Sequence, residues 1–117
     1  MYKTKVTEIG SMAPAFAEEL ILILFGPKAT PELKDLCYIH EVEQDEENPL
    51  QEGRKISFGG KEYTILEVGS QANANFAELG HVSVYFRTEV GELLPGAVAV
   101  TPDVYPELAV GDEITIA

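Results

Sequence analysis

The chain has 117 residues, 45% of them hydrophobic, and carries a formal net charge of −12. This length gives room for one domain with one modest core, and this composition is typical of a folded protein rather than a disordered one. Eight basic residues against twenty acidic ones exclude nucleic acid and anionic membrane surfaces as expected partners, because like charges repel. A basic protein surface would be favoured instead.

The cellular compartment follows from the cysteine count and the apolar runs. The single cysteine, Cys37, excludes an intrachain disulfide and any metal site built from several thiolates, which suits a reducing cytoplasm. The first ten residues, MYKTKVTEIG, lack the apolar core of a signal peptide. LILILF at residues 20–25 is far too short for a bilayer, which needs about 20 residues. We therefore expect a cytoplasmic protein that does not insert into the membrane.

Strand-like segments alternate with turn signals, which predicts a mainly β protein: a compact, closed, barrel-like single domain over residues 1–117 with a few short helices. KTKVTEIG predicts the first strand, SMAPAFAEE a brief helix capped by Ser11, and LILILF a strand buried on both faces. In TPELKDL, we expect Thr30 to cap a helix of about two turns that begins at Pro31.

The middle of the chain returns to extended structure. CYIHEVE predicts a strand with His40 on the same face as Tyr38 and Val42. KISFGGKEYTILEVG predicts two strands joined at Gly59-Gly60, because glycines readily adopt the positive φ angles of a tight hairpin.

A short helix and three strands are predicted for the last third. We expect Ser70 to cap a helix through NANFAEL that ends at Gly80 in a left-handed stop. HVSVYF then predicts a strand with His81 at its first position, where side chains often border a cleft. GAVAVTP and DEITIA predict the final strands, with LAVGD as a turn between them. The order of the strands around the barrel is left open, because many short strands fit more than one closed topology.

The histidines and carboxylates do not form a recognisable metal motif. His40, His81 and nearby acidic side chains could in principle bind a divalent cation, but the chain has no H-x-H, no HExxH and no cysteine pair. The acidic residues 43–47 are better interpreted as a solvated loop. We therefore expect neither a metal nor a cofactor.

Two side chains remain as candidate nucleophiles. Cys37 lies three residues before His40, but an alternating strand directs the two side chains to opposite faces, so a small buried thiol is the simpler interpretation. Histidine has an ordinary pKa of about 6.5, so its neutral ring can offer a nitrogen lone pair to phosphorus. From the residues alone, a structural or exposed histidine remains the default alternative.

The order of the motifs adds a resemblance to a known family. LCYIH, the glycine hairpin, EVGSQANANFAELGHVSVYF, and a closing PGAVAV with VGDEI closely resemble the glucitol/sorbitol-specific IIA component of the bacterial phosphoenolpyruvate-dependent sugar phosphotransferase system. The resemblance covers almost the whole chain. Its most specific pieces are CYIH, similar to the family's C-aromatic-I-H segment, and ELGHVSVYF, similar to its ELGHV-x-hydrophobic-x-F segment.

The resemblance implies a β-barrel-like phosphotransferase component that forms a phosphohistidine. Such a carrier accepts a phosphoryl group from the phosphocarrier protein HPr and passes it to the IIB part of a membrane permease, whose IIB/IIC components couple hexitol uptake to phosphorylation. The family's phosphorylated histidine corresponds to His40. His81 matches the histidine of the GHV segment, with a supporting role and a structural role both open. We expect backbone amides or small polar groups such as Ser70 or Ser83, rather than Glu41, to line the pocket.

Two alternatives to this function stay open at this point. The first is a non-catalytic binding module, an acidic β-barrel that docks a basic protein or a sugar and uses neither histidine chemically. The second is a regulatory relative that is phosphorylated but no longer feeds a permease. Replacement of His40 separates the first alternative from a carrier, and the identity of the downstream partner separates the second.

Overall fold

A computed structural model of the chain describes residues 1–89 and 91–117. Over these residues the chain forms eight strands and three short helices, which confirms the mainly β prediction. The strands are β1 (Tyr2–Ile9), β2 (Ile21–Phe25), β3 (Tyr38–Gln44), β4 (Lys55–Phe58), β5 (Lys61–Val68), β6 (Val82–Tyr85), β7 (Ala97–Thr101) and β8 (Glu113–Ile116). The helices are a 3₁₀ helix (Ala13–Glu19), α1 (Pro31–Leu36) and α2 (Ala72–Leu79).

The strands close into a barrel in the order β1-β3-β2-β6-β7-β5-β4-β8, with β8 pairing back onto β1. Most neighbours are antiparallel, but β2 runs parallel to β3 and β6 runs parallel to β7. Parallel neighbours need a crossover connection between them. The connection from β2 to β3 contains α1. The end of β2 lies beside the start of β3, where Leu24 pairs with Tyr38.

Alternation along the strands fills the barrel interior. On β4 and β8, and in the parts of β1 and β5 that cover residues 2–6 and 63–65, every second side chain points inward and is buried, as period-two geometry requires. The largest inward side chains on these strands include Tyr63, Phe58, Ile56, Ile65, Ile114 and Ile116. One continuous apolar core results, and it encloses two polar side chains, Thr4 and His40.

The prediction that LILILF is buried on both faces is wrong in part. Leu22 and Leu24 point into the barrel and are fully buried, whereas Ile23 and Phe25 on the other face are only partly buried. The outer pair packs against a second, smaller apolar cluster that includes Cys37. The strand therefore separates two clusters of unequal size.

The turn and cap predictions have mixed outcomes. Gly59 and Gly60 have φ angles of 59° and 92°, which confirms the tight hairpin between β4 and β5. Thr30 accepts a hydrogen bond from the Leu33 amide at the start of α1, as predicted.

The two predicted serine caps are wrong. The 3₁₀ helix begins after Met12, and no side chain caps it. At the start of α2 the cap position is Gln71, which makes no side-chain hydrogen bond, and the Ala72 amide donates to the backbone carbonyl of Gly69. Exposed helix amides need an acceptor, but any nearby carbonyl satisfies them.

No helix among the described residues combines the length and the apolar character that crossing a membrane requires.

Candidate functional site

A groove of about 450 Å³ opens where β3, the end of α2 and the loop after β2 meet. His40 lies at its inner side and the Leu79–Gly80 corner forms its rim. The lining residues are Gly26, Pro27, Lys28, His40, Glu41, Val42, Phe76, Ala77, Glu78, Leu79 and Gly80.

His40 projects from β3 into the barrel and is 1% exposed. Its backbone pairs with Val6 of β1, and Thr4 is therefore the diagonal neighbour two residues along the same face. Nδ1 of His40 lies 2.6 Å from Oγ1 of Thr4, and Nε2 lies 2.7 Å from the carbonyl oxygen of Gly80. Both ring nitrogens are thus hydrogen-bonded to protein atoms.

These two contacts define where the ring proton lies. A carbonyl oxygen only accepts hydrogen bonds, so Nε2 must carry the hydrogen and donate it to Gly80. In the neutral ring Nδ1 is then an acceptor, and the hydroxyl of Thr4 donates to it. Burial lowers the pKa of His40 from its ordinary value, and the hydrogen bond to Gly80 raises it by less. The imidazole is therefore neutral at neutral pH.

Helix α2 brings two of these groups into place. Phe76 on its inward face stacks on the imidazole of His40, with ring centroids 5.6 Å apart. The helix ends at Gly80, whose φ of 70° is left-handed and turns its carbonyl toward the histidine. The Gly26 amide donates to the Leu79 carbonyl and fixes this corner against the loop after β2.

The rim of the groove combines apolar and charged side chains. Val42 and Leu79 are 48% and 45% exposed, although both are large hydrophobic residues. Glu41 and Glu78 lie beside them, and Lys28 is the one cation in the lining. The surface around the histidine is therefore apolar in part and negative in net charge.

The structure does not bring His81 into the groove lining. Its ring is half-buried and packs against Phe25, with centroids 5.3 Å apart. Burial lowers the pKa of His81 as well. His81 is connected to the site only by its backbone neighbour, because the carbonyl of the preceding residue, Gly80, accepts a hydrogen bond from His40. A supporting role for His81 stays a prediction.

Cys37 lies in the second apolar cluster with Ala29 and Ile39 and is buried. Burial raises the pKa of its thiol to about 11, so the reactive thiolate is disfavoured. His40, three residues on, belongs to the opposite face of β3, as the alternation predicts. The two side chains do not form a catalytic pair.

The expected side chains of the pocket lining were wrong, although Gly26 and Gly80 do bring backbone to it. Neither Ser70 nor Ser83 borders the groove, whereas Glu41 does. Sequence reasoning also missed Thr4 and Phe76. The short distance in sequence between Phe76 and the GHV segment was a weak indication that Phe76 lies near the site. Nothing local in KTKVTEIG indicates that Thr4 contacts a residue 36 positions away. Across residues 1–89 and 91–117, no three metal-ligating side chains cluster together.

Comparisons with known proteins identify the family of the chain. The family model described as "PTS system glucitol/sorbitol-specific IIA component" matches residues 1–115. The glucitol/sorbitol-specific EIIA components of Shigella flexneri and Escherichia coli (strain K12) are each 33% identical over 111 residues, which is 95% of this chain and 89% of each relative. The crystal structure of a PTS system IIA component from Enterococcus faecalis V583 is 32% identical, with a TM-score of 0.82 over 97% of both chains. The chain therefore belongs to the family of glucitol/sorbitol-specific IIA components of the PTS system.

Proposed function

We propose that the chain is a cytoplasmic phosphoryl carrier whose nucleophile is His40. It accepts a phosphoryl group from phospho-HPr and passes it to the IIB component of a glucitol/sorbitol permease, so that hexitol uptake is coupled to phosphorylation. One observation supports this most directly. A buried, neutral imidazole lies at the inner side of a groove, with both nitrogens hydrogen-bonded, in a chain that belongs to this family.

The transfer exchanges one nitrogen–phosphorus bond for another. A lone pair on the His40 ring attacks phosphorus while the bond from phosphorus to the donor histidine breaks, and the donor ring leaves as neutral imidazole. The reverse exchange with the next acceptor returns His40 to its starting state. Little covalent machinery is needed, because positioning and electrostatic support dominate phosphoryl transfer. The lowered pKa of His40 favours the neutral, nucleophilic ring.

The rim of the groove suits a basic docking partner. Val42 and Leu79 supply exposed apolar area beside His40, and Glu41 and Glu78 supply negative charge. A chain with a formal charge of −12 attracts a positively charged surface over a distance of about 10 Å at 0.1 M salt. Such attraction mainly raises the association rate, which suits a carrier that must bind and release two partners.

The proposal is tested by following phosphoryl incorporation from phosphoenolpyruvate through Enzyme I and HPr into the purified protein. Wild type is compared with His40→Gln and with His81→Gln, the matched substitution at the other histidine. We expect acid-labile label on wild type and on His81→Gln, and none on His40→Gln. Labelled wild type is then mixed with IIB, and the label should move to it.

Each other outcome has a distinct meaning. Label that survives in His40→Gln would move the nucleophile to His81 or elsewhere. Absence of label on folded wild type would contradict the carrier function and favour a binding module. Label that enters the protein but does not pass to IIB would identify a regulatory relative instead of a permease component.

A further inference from the structure

Two groups hold the imidazole of His40 in the barrel interior. The hydroxyl of Thr4 lies 2.6 Å from Nδ1, and the ring of Phe76 stacks on the imidazole with centroids 5.6 Å apart. One further side chain, Tyr2, lies next to both of these groups. It shares the inward face of β1 with Thr4, and its ring centroid is 4.9 Å from that of Phe76.

The hydroxyl of Tyr2 is a buried polar group that the fold leaves unpaired. The side chain is 2% exposed, and its oxygen has no partner in hydrogen-bond geometry among the described residues. Most buried polar atoms have a partner, because an unpaired one loses its hydration without compensation. Burial raises the pKa of Tyr2, the Thr4 hydroxyl lowers it by less, and the charge of Asp45 adds to the increase. Asp45 is exposed, so the oxygen of Thr4 is the acceptor that the interior offers.

We propose that Tyr2 is a positioning residue for phosphoryl transfer at His40. In the complex with the phosphoryl donor its hydroxyl donates a hydrogen bond to Oγ1 of Thr4, and its ring supports Phe76. One side chain then fixes both groups that orient the imidazole. This inference rests on the proposed function of His40, and it adds a residue that acts through its neighbours rather than on the phosphoryl group.

The donors and acceptors of these side chains fit one continuous chain. Nε2 of His40 donates to Gly80, and the Thr4 hydroxyl donates to Nδ1, as the neutral ring requires. The single hydrogen of Thr4 is thus used, but its oxygen keeps lone pairs that can accept. With the hydrogen of Tyr2 on one of them, every bond points from Tyr2 through Thr4 to the imidazole. Hydrogen bonds aligned in this way polarise and strengthen one another.

Donation from Tyr2 also fixes the direction of the Thr4 hydroxyl. Alone, a threonine hydroxyl rotates to suit its surroundings. With the Tyr2 hydrogen on its oxygen, the Thr4 hydrogen must point elsewhere, and Nδ1 of His40 is the acceptor within reach. This hydrogen bond limits rotation of the imidazole within its plane, and the stack of Phe76 limits its tilt. The orientation of the ring matters because transfer rates are sensitive to misplacement by about 1 Å.

A small cavity gives the Tyr2 side chain room to adjust. Tyr2 lines a space of about 50 Å³ together with Val42, Phe76 and Ala77, and these three residues also line the groove beside His40. A partner that covers the groove therefore contacts the wall that separates it from Tyr2. Catalytic hydrogen bonds are often poorly aligned in a free protein and tighten in the complex. We expect the Tyr2–Thr4 hydrogen bond to tighten when the phosphoryl donor binds.

The first test compares Tyr2→Phe, which removes only the hydroxyl, with Tyr63→Phe. Tyr63 is a similarly buried tyrosine whose hydroxyl donates to the Val104 carbonyl over 2.7 Å. Single-turnover phosphorylation is followed at increasing concentrations of phospho-HPr, and the ¹⁵N shifts of the His40 ring are recorded in the complex with unphosphorylated HPr. One neutral hydrogen bond corresponds to about a two- to tenfold change in rate. We expect Tyr2→Phe to lower the limiting rate by that factor, to leave the half-saturating HPr concentration unchanged and to move the ¹⁵N shifts.

The control should show the opposite pattern. Tyr63→Phe loses a hydrogen bond that the structure contains, so its midpoint of urea unfolding should fall while its rate and ¹⁵N shifts stay those of wild type. Tyr2→Phe loses a hydroxyl without a partner in the free protein, so its midpoint should stay close to that of wild type. Wild-type rate and ¹⁵N shifts in Tyr2→Phe would overturn the inference, and so would equal effects of both variants on the rate. Wild type that takes up no label would contradict the proposed function instead.

A measurement on wild type decides the point if Tyr2→Phe does not fold. The hydroxyl hydrogen of Tyr2 is followed by NMR in the free protein and in the complex with HPr. We expect its exchange with solvent to slow in the complex, together with a nuclear Overhauser contact to Thr4. A hydroxyl hydrogen that exchanges equally fast in both states and shows no contact with Thr4 would overturn the inference.

Discussion

The ring of Phe76 lies against the imidazole of His40, with an interplanar angle of 26° and both side chains almost fully buried. Phe76 therefore serves the core and the site at the same time: it fills the space beside β1 and β3 and restricts the tilt of the histidine ring. Its loss should affect stability and phosphorylation together.

We expect Phe76→Ala to lower the free energy of unfolding by about 3 to 5 kcal/mol, because it leaves a cavity in the core. Guanidinium unfolding followed by circular dichroism measures this. Leu79→Ala on the same helix is the matched control: its side chain is 45% exposed, and a change within about 0.5 kcal/mol is expected. Equal losses in both variants would mean that Phe76 does not pack as described.

Gly80→Ala should be more harmful than a substitution at another left-handed glycine. A Cβ at Gly80 would lie 2.7 Å from the Gly26 nitrogen and 3.2 Å from Nε2 of His40, in addition to the left-handed φ. Gly111 also has a positive φ, but a Cβ there meets nothing within 4 Å. Gly111→Ala is expected to cost about 1 to 2 kcal/mol from backbone strain alone. Thermal or denaturant unfolding should show a clearly larger loss for Gly80→Ala, and equal losses would contradict the close packing of this corner.

Stability should decrease as the pH falls below about 6.5, because both histidines have lowered pKa values in the folded protein. Between the folded and unfolded pKa values the unfolded chain binds more protons, so unfolding becomes easier as the pH falls. The slope is at most about 1.4 kcal/mol per pH unit for each histidine. Glu46, with a pKa lowered to about 2 beside Arg54, contributes stability that is lost only below about pH 4.5.

The window from pH 6.5 to 5 therefore isolates the histidines. Urea unfolding across this window should give a shallower pH dependence in His40→Gln and in His81→Gln than in wild type. The comparison uses the slopes, since the substitutions also change the stability itself. A slope unchanged in His40→Gln would mean that the folded protein accepts a proton on His40 as readily as the unfolded chain does.

Lys28 is the one cation in the groove lining, and its replacement separates two electrostatic effects. If its ammonium group contacts the incoming phosphoryl group, as we expect, Lys28→Gln should slow phosphorylation by up to about fivefold, the range of an exposed charge pair. If Lys28 only repels a basic partner, the same variant would be faster than wild type. Lys61→Gln on the distant β4–β5 hairpin is the control, and initial rates at low and high salt are the measurement.

Local structure was largely predictable from the sequence. The hairpin at Gly59-Gly60, the Thr30 cap and the stop at Gly80 follow from short-range conformational preferences that tertiary context did not override. The failed serine caps show the limit of this reasoning: the first amides, of Ala13 and Ala72, donate to the backbone carbonyls of Gly10 and Gly69, so no side chain is needed there.

Of the candidate site, the sequence predicted His40 but not its hydrogen-bond partners. The resemblance of CYIH to its family motif indicated His40, but its partners depend on the pairing of β1 with β3 and on the packing of α2 over the barrel. That pairing contains register irregularities near Thr4 and Val6, which no alternation of residues encodes. The strand order could not be predicted either, because the barrel contains two parallel strand pairs among antiparallel ones.

The hydrogen bonds of His40 join it to a residue 36 positions earlier and to one 40 positions later. Contacts that distant in sequence form late in folding, since the loops between them must close first. A chain still emerging from the ribosome contains His40 long before it contains Gly80, so the imidazole begins as an ordinary exposed side chain. The chemical environment of this one ring therefore reports two folding events, the pairing of β1 with β3 and the docking of the end of α2, and its ¹⁵N shifts would show when each occurs in a refolding experiment.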